Sequence, residues 1–344
     1  MTSVPCLVLQ DFDLNALDAY LHRVIPGLDG EPALERISGG QSNPTYFLTY
    51  PTHRTVLRMP PKGPLLPSAH AVDREHRIMH ALRETEVPVP QMLALCLDLD
   101  VIGRPFYVME RVEGRVFNDC SLPGVAPAER RAMYFAMAET LAQLHRVDWQ
   151  GAGLVDFGRV GGYYTRQIAR WSKQWTLSKT RDIPDIETLI VWLRENVPDE
   201  SATVISHGDF RIGNLMFHPV EPRVVAVLDW ELSTLGHPLA DLAYSALGWR
   251  LGASEHMGMG DLDLAKLGIP TETEYLAHYS AKAPAFGRLL SFHTAISLFR
   301  LAVIFEGIAA RAKSGSASSA NAEDIGRLST AFARHAVEAI DAGR

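Results

Sequence analysis

The sequence predicts an α+β chain of two lobes, a small β-rich one followed by a larger, mainly helical one. Three observations predict it. Short β-prone runs with Gly and Pro punctuation fill most of residues 34–109, around a single helical stretch. From about Gly114 apolar stripes at helical spacing take over. One island of β-prone segments, residues 204–228, interrupts those helices. The division is expected at residues 1–110 and 111–344, with a connector near 109–114.

Residues 13–25 open the chain as a helix, with Leu14, Leu17, Leu21 and Val24 on one face and Asp13 able to cap the start. Leu34–Ser38, Thr45–Thr49 and Thr55–Met59 read as strands, separated by Gly39-Gly40 and by Pro51. A helix is expected from an N-cap at Ser68 to about Arg83, with Ala71, Ile78 and Leu82 inward, and Pro88-Val89-Pro90 stops it. Met92–Cys96 and Phe106–Met109 complete a small sheet. Pro127 then suits a helical first turn, ahead of a stripe of Ala132, Phe135, Ala136, Leu141 and Leu144. Further helices are expected near 163–178, 185–196, 239–250, 272–283, 289–312 and 323–341, with Gly315 to Ala320 as a surface loop. The β island consists of Val204–Ile205, Asn214–Phe217 and Val224–Leu228.

Composition excludes several function classes. The 344 residues carry 33 basic and 40 acidic side chains, a net charge of −7, which argues against a nucleic-acid-coating protein. A 47% hydrophobic share supports a real core and excludes a disordered chain. Three cysteines at 6, 96 and 120 form neither a disulfide framework nor a metal-ligand pair, which fits a reducing, cytoplasmic compartment. The run Val4 to Leu9 is short and followed by Asp11 and Asp13, unlike a signal peptide. Leu289 to Ala310 is interrupted by His293, Arg300 and Glu306, so it reads as a core helix and no membrane association is expected.

The chemistry concentrates in the β island. Ser206-His207-Gly208-Asp209-Phe210-Arg211-Ile212-Gly213-Asn214 presents an Asp and, five residues later, an Asn; Leu228-Asp229-Trp230-Glu231 ends the next apolar strand. Singly these are ordinary turn and cap residues. Together they suit phosphoryl transfer, which needs one carboxylate for the acceptor hydroxyl and oxygen ligands holding Mg²⁺ against a triphosphate.

His207-Gly208-Asp209-x-x-x-x-Asn214 resembles the catalytic loop of aminoglycoside phosphotransferases and choline kinases, relatives of the protein kinases, and Leu228-Asp229-Trp230-Glu231 resembles their D-F-G segment. The resemblance implies a protein-kinase-like fold, with a nucleotide-binding lobe before a lobe for catalysis and the acceptor. It makes Asp209 the base, Asn214 and Asp229 magnesium ligands, and Arg211 a cation for the transferring phosphate. Gly39, Gly40, Ser42 and Asn43 lie between two predicted strands, where a phosphate-covering hairpin belongs. Thr55-Val56-Leu57-Arg58 stands where kinases have V-A-I-K, so Arg58 would contact the ATP phosphates with Glu75 as its partner. Backbone groups from Glu110 to Val112 would meet the adenine edge, with Leu215 or Met216 beneath the ring. Asp241 matches a family residue that braces the catalytic loop.

Within that family the Val56-Leu57-Arg58, Leu65 to Glu75 and Val101 to Glu110 segments resemble the kinase modules often fused to acyl-CoA dehydrogenases, which also carry Arg at the Lys position. This implies an ATP- and Mg-dependent kinase acting on a hydroxy acid or its CoA thioester. An aminoglycoside or amino-alcohol kinase and a non-catalytic, nucleotide-binding pseudokinase are the alternatives, and the intact Asp209, Asn214 and Asp229 set argues against the last. From Leu239 to Arg344, 10 basic against 11 acidic residues leave a near-neutral balance. Arg250, Arg300, Arg311 and Lys313 there are available for a carboxylate or for CoA phosphates, whereas a polycationic acceptor calls for a carboxylate-lined site.

Overall fold

The computed structural model describes residues 12–37, 43–62, 71–313 and 322–343. The chain divides into two units: residues 1–114 with 225–231, and residues 115–224 with 232–344.

The first unit is built on a five-stranded antiparallel sheet. Its strands are β1 (Ala33–Arg36), β2 (Thr45–Thr49), β3 (Arg54–Arg58), β4 (Met92–Cys96) and β5 (Phe106–Glu110), in the order β1-β2-β3-β5-β4. Helix α1 (Leu14–Val24) starts where Asp13 Oδ1 accepts from the amides of Asn15 and Ala16, and its Leu17 and Leu21 are buried with Leu48, Leu57 and Phe106 of the sheet. Helix α2 (Val72–Leu82) buries Val72, Glu75, Ile78, Met79 and Leu82. That face is apolar at helical spacing apart from one carboxylate, Glu75. Ala71 occupies the N-cap position without a capping side chain, and Ser68 lies outside the described residues. A one-turn helix, α3 (Leu99–Ile102), bridges β4 and β5; it is too short for hydrophobic periodicity to reveal.

Segment 225–231 attaches to this unit by backbone and by charge. The Val227 amide donates to Pro88 O over 2.8 Å, and Asp229 pairs with Arg58 on β3.

The second unit is mainly helical, with α4 (Pro127–Arg146), α5 (Tyr163–Ser178), α6 (Pro184–Glu195), α7 (Pro238–Ser245), α8 (Leu264–Leu267), α9 (Glu272–Lys282), α10 (Ser291–Lys313) and α11 (Ala322–Ala342). Its core joins α5, α6, α10 and α11 around Tyr164, Trp175, Leu193, Phe299 and Phe332. Among the described residues no helix is long and apolar enough to cross a membrane. Two short antiparallel pairings carry the functional loop: β6 (Arg115–Val116) with β8 (Leu215–Phe217), and β7 (Val204–Ser206) with β10 (Thr234–Gly236). Strand β9 (Val224–Val227) leads into the segment that joins the first unit.

One expected helix is shorter than its spacing suggests. The 239–250 stretch forms α7 to Ser245 and then a 3₁₀ turn, Leu247–Trp249. The backbone of Met257 passes close to Gly248, whose missing Cβ would meet Met257 O at 2.8 Å. That approach replaces the last helical turn.

Candidate active site

The loop after β7 is clamped from below by one carboxylate. Asp241, in the first turn of α7, accepts from Ser206 Oγ at 2.9 Å, the His207 amide at 2.6 Å and the Gly208 amide at 2.9 Å. His145 Nε2 stands 3.7 Å from the same carboxylate. Asp241 is buried, and burial would raise its pKa; the neighbouring His145 and His207 and the Gly208 amide hold it below the usual carboxylate range. Gly208 has φ of +81°, and a Cβ there would meet Leu232 O at 2.7 Å, so both conformation and space call for glycine.

The clamped loop presents Asp209. Its Oδ1 accepts from the Tyr244 hydroxyl at 2.5 Å; its Oδ2 accepts from Asn214 Nδ2 at 2.7 Å and lies 3.3 Å from Arg211 Nε. Burial opposes ionisation, but Arg211, the Tyr244 hydroxyl, Arg300 and His207 outweigh it and hold the carboxyl below its ordinary range. Tyr244 moves the other way, since burial and the Asp209 charge push its phenol well above the tyrosine range and keep it a donor. The Asp209 side chain is still 19% exposed. A fixed, ionised, accessible carboxylate results.

A second cluster lies in the first unit. Arg58, at the end of β3, sends Nη2 to Asp229 Oδ1 at 2.9 Å and Nη1 to Thr45 Oγ1 at 3.3 Å. Its Nε sits 2.9 Å from Glu75 Oε2, an ion pair without hydrogen-bond alignment. Glu75, 1% exposed, also accepts from Asn43 Nδ2 at 2.7 Å and Tyr107 OH at 3.1 Å. Burial pushes the Glu75 carboxyl up against the pull of Arg58, while for Arg58 burial works to lower the pKa and the surrounding carboxylates outweigh it and raise it. Asp229 has φ of +63°, a left-handed conformation that Asp tolerates better than most residues.

The other expected site residues distribute as follows. Gly39, Gly40 and Ser42 lie outside the described residues. Asn43 is buried against Glu75. The Glu110 amide donates to Gln91 O and the Arg111 amide to Arg54 O, whereas the Val112, Glu113 and Gly114 amides have no backbone acceptor among the described residues. Leu215 is fully buried and Met216, on the other face of β8, half-buried. Asn214 and Asp229 belong to different units. Among the described residues each leaves an oxygen unengaged: Asn214 donates through nitrogen, so its Oδ1 has no donor, and Asp229 meets Arg58 through Oδ1 alone.

Sequence reading passed over Tyr244 and Tyr107. Tyr244 follows Asp241 by three residues on one helix, a spacing that puts both on the same face, and that signal was available. Tyr107 carries none beyond lying in a buried strand.

The model of the phosphotransferase enzyme family matches residues 33–276. The chain is 45% identical over 324 residues to acyl-CoA dehydrogenase family member 10 of Mus musculus, and 43% identical over 341 residues to family member 11 of Gallus gallus. These matches cover 93% and 95% of this chain but only 30% and 43% of the relatives, so the chain spans less than half of either. Among solved structures, a Ralstonia eutropha protein provisionally described as an aminoglycoside phosphotransferase superposes with a TM-score of 0.88 at 45% identity, over 97% of this chain and 99% of that one. A thermostable mutant of the aminoglycoside phosphotransferase APH(4)-Ia, in complex with AMP-PNP and hygromycin B, gives 0.59 at 15% identity, over 90% and 95%, a likeness of fold.

Proposed function

The chain belongs to the phosphotransferase enzyme family, and on that premise we propose that it moves the γ-phosphate of ATP, with Mg²⁺, to a hydroxyl of a small hydroxy acid or hydroxyacyl-CoA. The observation that carries the phosphotransfer reading is the Asp209 carboxylate, kept ionised by Arg211 and Tyr244 on a loop that Asp241 clamps. Asp209 accepts the proton of the acceptor hydroxyl as that oxygen bonds to the γ-phosphorus, while the bond from that phosphorus to the β–γ bridging oxygen breaks and ADP leaves. Arg211 supplies positive charge where the equatorial phosphoryl oxygens gather negative charge. Arg58 binds the non-transferred phosphates, oriented by Glu75. The Glu110 carbonyl and the Val112 amide meet the adenine edge. Asn214 and Asp229, whose side-chain oxygens are of the kind a hard cation takes, would hold magnesium. Magnesium, when bound, neutralises the charge shared by the β- and γ-phosphates.

The hydroxyacyl part of the proposal is supported by similarity to proteins named as acyl-CoA dehydrogenase family members. A cytoplasmic setting suits the buried free thiols Cys96 and Cys120. A panel assay of ATP consumption and phosphorylated product tests it, across hydroxy acids, their CoA thioesters, aminoglycosides and choline. Turnover confined to acids or thioesters is expected. Turnover confined to aminoglycosides or choline refutes the acceptor, and no Asp209-dependent turnover of any acceptor refutes the kinase.

A further inference from the structure

Four basic residues of the last hundred are available for an acceptor on sequence grounds, and the fold singles out one. Arg250 Nε is paired with Glu272 at 2.8 Å, and Lys313 Nζ donates to Thr180 Oγ1. Arg300 has no carboxylate partner among the described residues. Instead its guanidinium lies over the Tyr244 ring at 5.2 Å and over the Trp171 ring at 5.6 Å. Its buried Nε–H has no acceptor.

Trp171 also carries a second arginine. The Arg170 guanidinium sits 5.1 Å from the same indole centroid, again with no carboxylate pair among the described residues. Two guanidinium groups gathered at one indole repel each other, and that repulsion, added to desolvation, lowers the Arg170 pKa. Neither guanidinium has a carboxylate within ion-pair distance among the described residues, although the charge of Arg300 also reaches Asp209. A shallow surface cleft opens beside the Arg300 side of this cluster, lined by Tyr163, Gln167, Trp171, Ser297 and Arg300. The one carboxylate on its wall, Asp241, is already engaged by Ser206, His207 and Gly208. The cleft adjoins the reacting centre, because the Tyr244 ring under Arg300 holds Asp209 through its hydroxyl.

We propose that Arg300 and Arg170, gathered around Trp171, form an oxyanion subsite that binds an acid group of the phosphate acceptor. This rests on the phosphotransferase reading and deepens it, since it makes a negative charge on the acceptor a determinant of recognition. Arginine suits the task, because its planar fork meets carboxylate or phosphate oxygens in pairs. Tyr163 and Ser297 add hydroxyls to the cleft wall. The acceptor hydroxyl is thereby directed to Asp209 from an anchored acid.

The test is a binding measurement on the intact protein, independent of turnover. Calorimetric titrations compare 3-hydroxyhexanoate with its methyl ester, and glycerol 3-phosphate with glycerol. The wild type is expected to bind an acid at least tenfold more tightly than its neutral counterpart, with the preference shrinking as salt rises. Preference in the carboxylate pair alone, or in the phosphate pair alone, identifies which acid the site takes. Arg300→Gln is expected to bring the acid-to-neutral ratio within about twofold, and Arg300→Lys to keep part of it. Arg170→Gln, at an exposed position that does not threaten folding, is expected to lower the same ratio by several fold. A wild type without preference for either acid overturns the proposal. So does an Arg300→Gln variant that weakens acid and neutral ligand equally, or an Arg170→Gln variant with an unchanged ratio. Failure of the kinase reading shows elsewhere, as absent ATP-dependent transfer alongside intact acid binding.

Discussion

The Tyr244 hydroxyl donates to Oδ1 of Asp209 over 2.5 Å, from the same helix whose Asp241 clamps the Asp209 loop. One helical turn therefore positions the carboxylate and, together with Arg211, keeps it ionised. Tyr244→Phe removes a donor to the charged form, so the Asp209 pKa rises towards its unperturbed value. Activity that needs the carboxylate is then lost at higher pH than in the wild type. The acid limb of the kcat/KM profile should move up, each pH unit corresponding to about 1.4 kcal/mol. An unmoved limb would remove Tyr244 from the control of Asp209.

Asp209→Asn keeps the shape of the side chain and removes the proton acceptor. Turnover of a confirmed acceptor should fall by about 10²–10⁴-fold, the usual contribution of a general base. Nucleotide affinity, measured by calorimetry with a non-hydrolysable ATP analogue, should stay near wild type. Near-normal turnover would refute the assignment.

Arg58 and Glu75 form a buried ion pair, so their replacements should not add. The coupling free energy in a double-mutant cycle on kcat/KM should fall in the range of about 0.5–3 kcal/mol typical of residues in contact. Arg58→Ala alone strands a carboxylate that is 1% exposed and already pushed up by burial. In that variant Glu75 takes up a proton more readily folded than unfolded, so stability declines as pH rises through its folded pKa. Thermal melts should accordingly show a larger Arg58→Ala deficit at pH 8 than at pH 5.

Three histidines of the second unit make the fold acid-sensitive. Desolvation, with neighbouring positive groups, lowers His237, His256 and His293 to about 4. Their unfolded value is about 6.5, so between these limits the unfolded chain binds more protons and stability falls as pH falls. The contribution is complete above pH 6.5 and lost towards pH 4. The melting temperature should therefore drop steadily from pH 7 to pH 4.5, and His293→Gln should flatten the slope. A slope unchanged in that variant would show that His293 is not one of the groups responsible.

Gly208→Ala meets both a left-handed backbone and the Leu232 carbonyl. Strain of this kind typically costs about 1–3 kcal/mol, and the loop carrying Asp209 should shift with it. Reduced turnover together with a lowered melting temperature is the expected result.

Much of this was legible in the chain. Local periodicity located the long elements, since α5 is Tyr163–Ser178 and β2 and β4 are Thr45–Thr49 and Met92–Cys96, each written in adjacent residues. The spacing from His207 to Asn214 and the segment at Asp229 pointed to phosphoryl transfer, because such motifs are local chemistry. What the sequence by itself determined is the list of long elements, the family and the loop where its chemistry lies, whereas short elements such as α3, α8, β6 and β10 carry too few residues to show a period. The tertiary structure decided the partners: Arg58 with Asp229, 171 residues away, Tyr244 with Asp209, 35 residues away, and Arg300 over Tyr244. It also chose Arg300 over Arg250, which is paired with Glu272 on α9. Those choices depend on how helices and strands distant in sequence pack, and hydrophobic spacing along one element carries no record of which neighbour it will face.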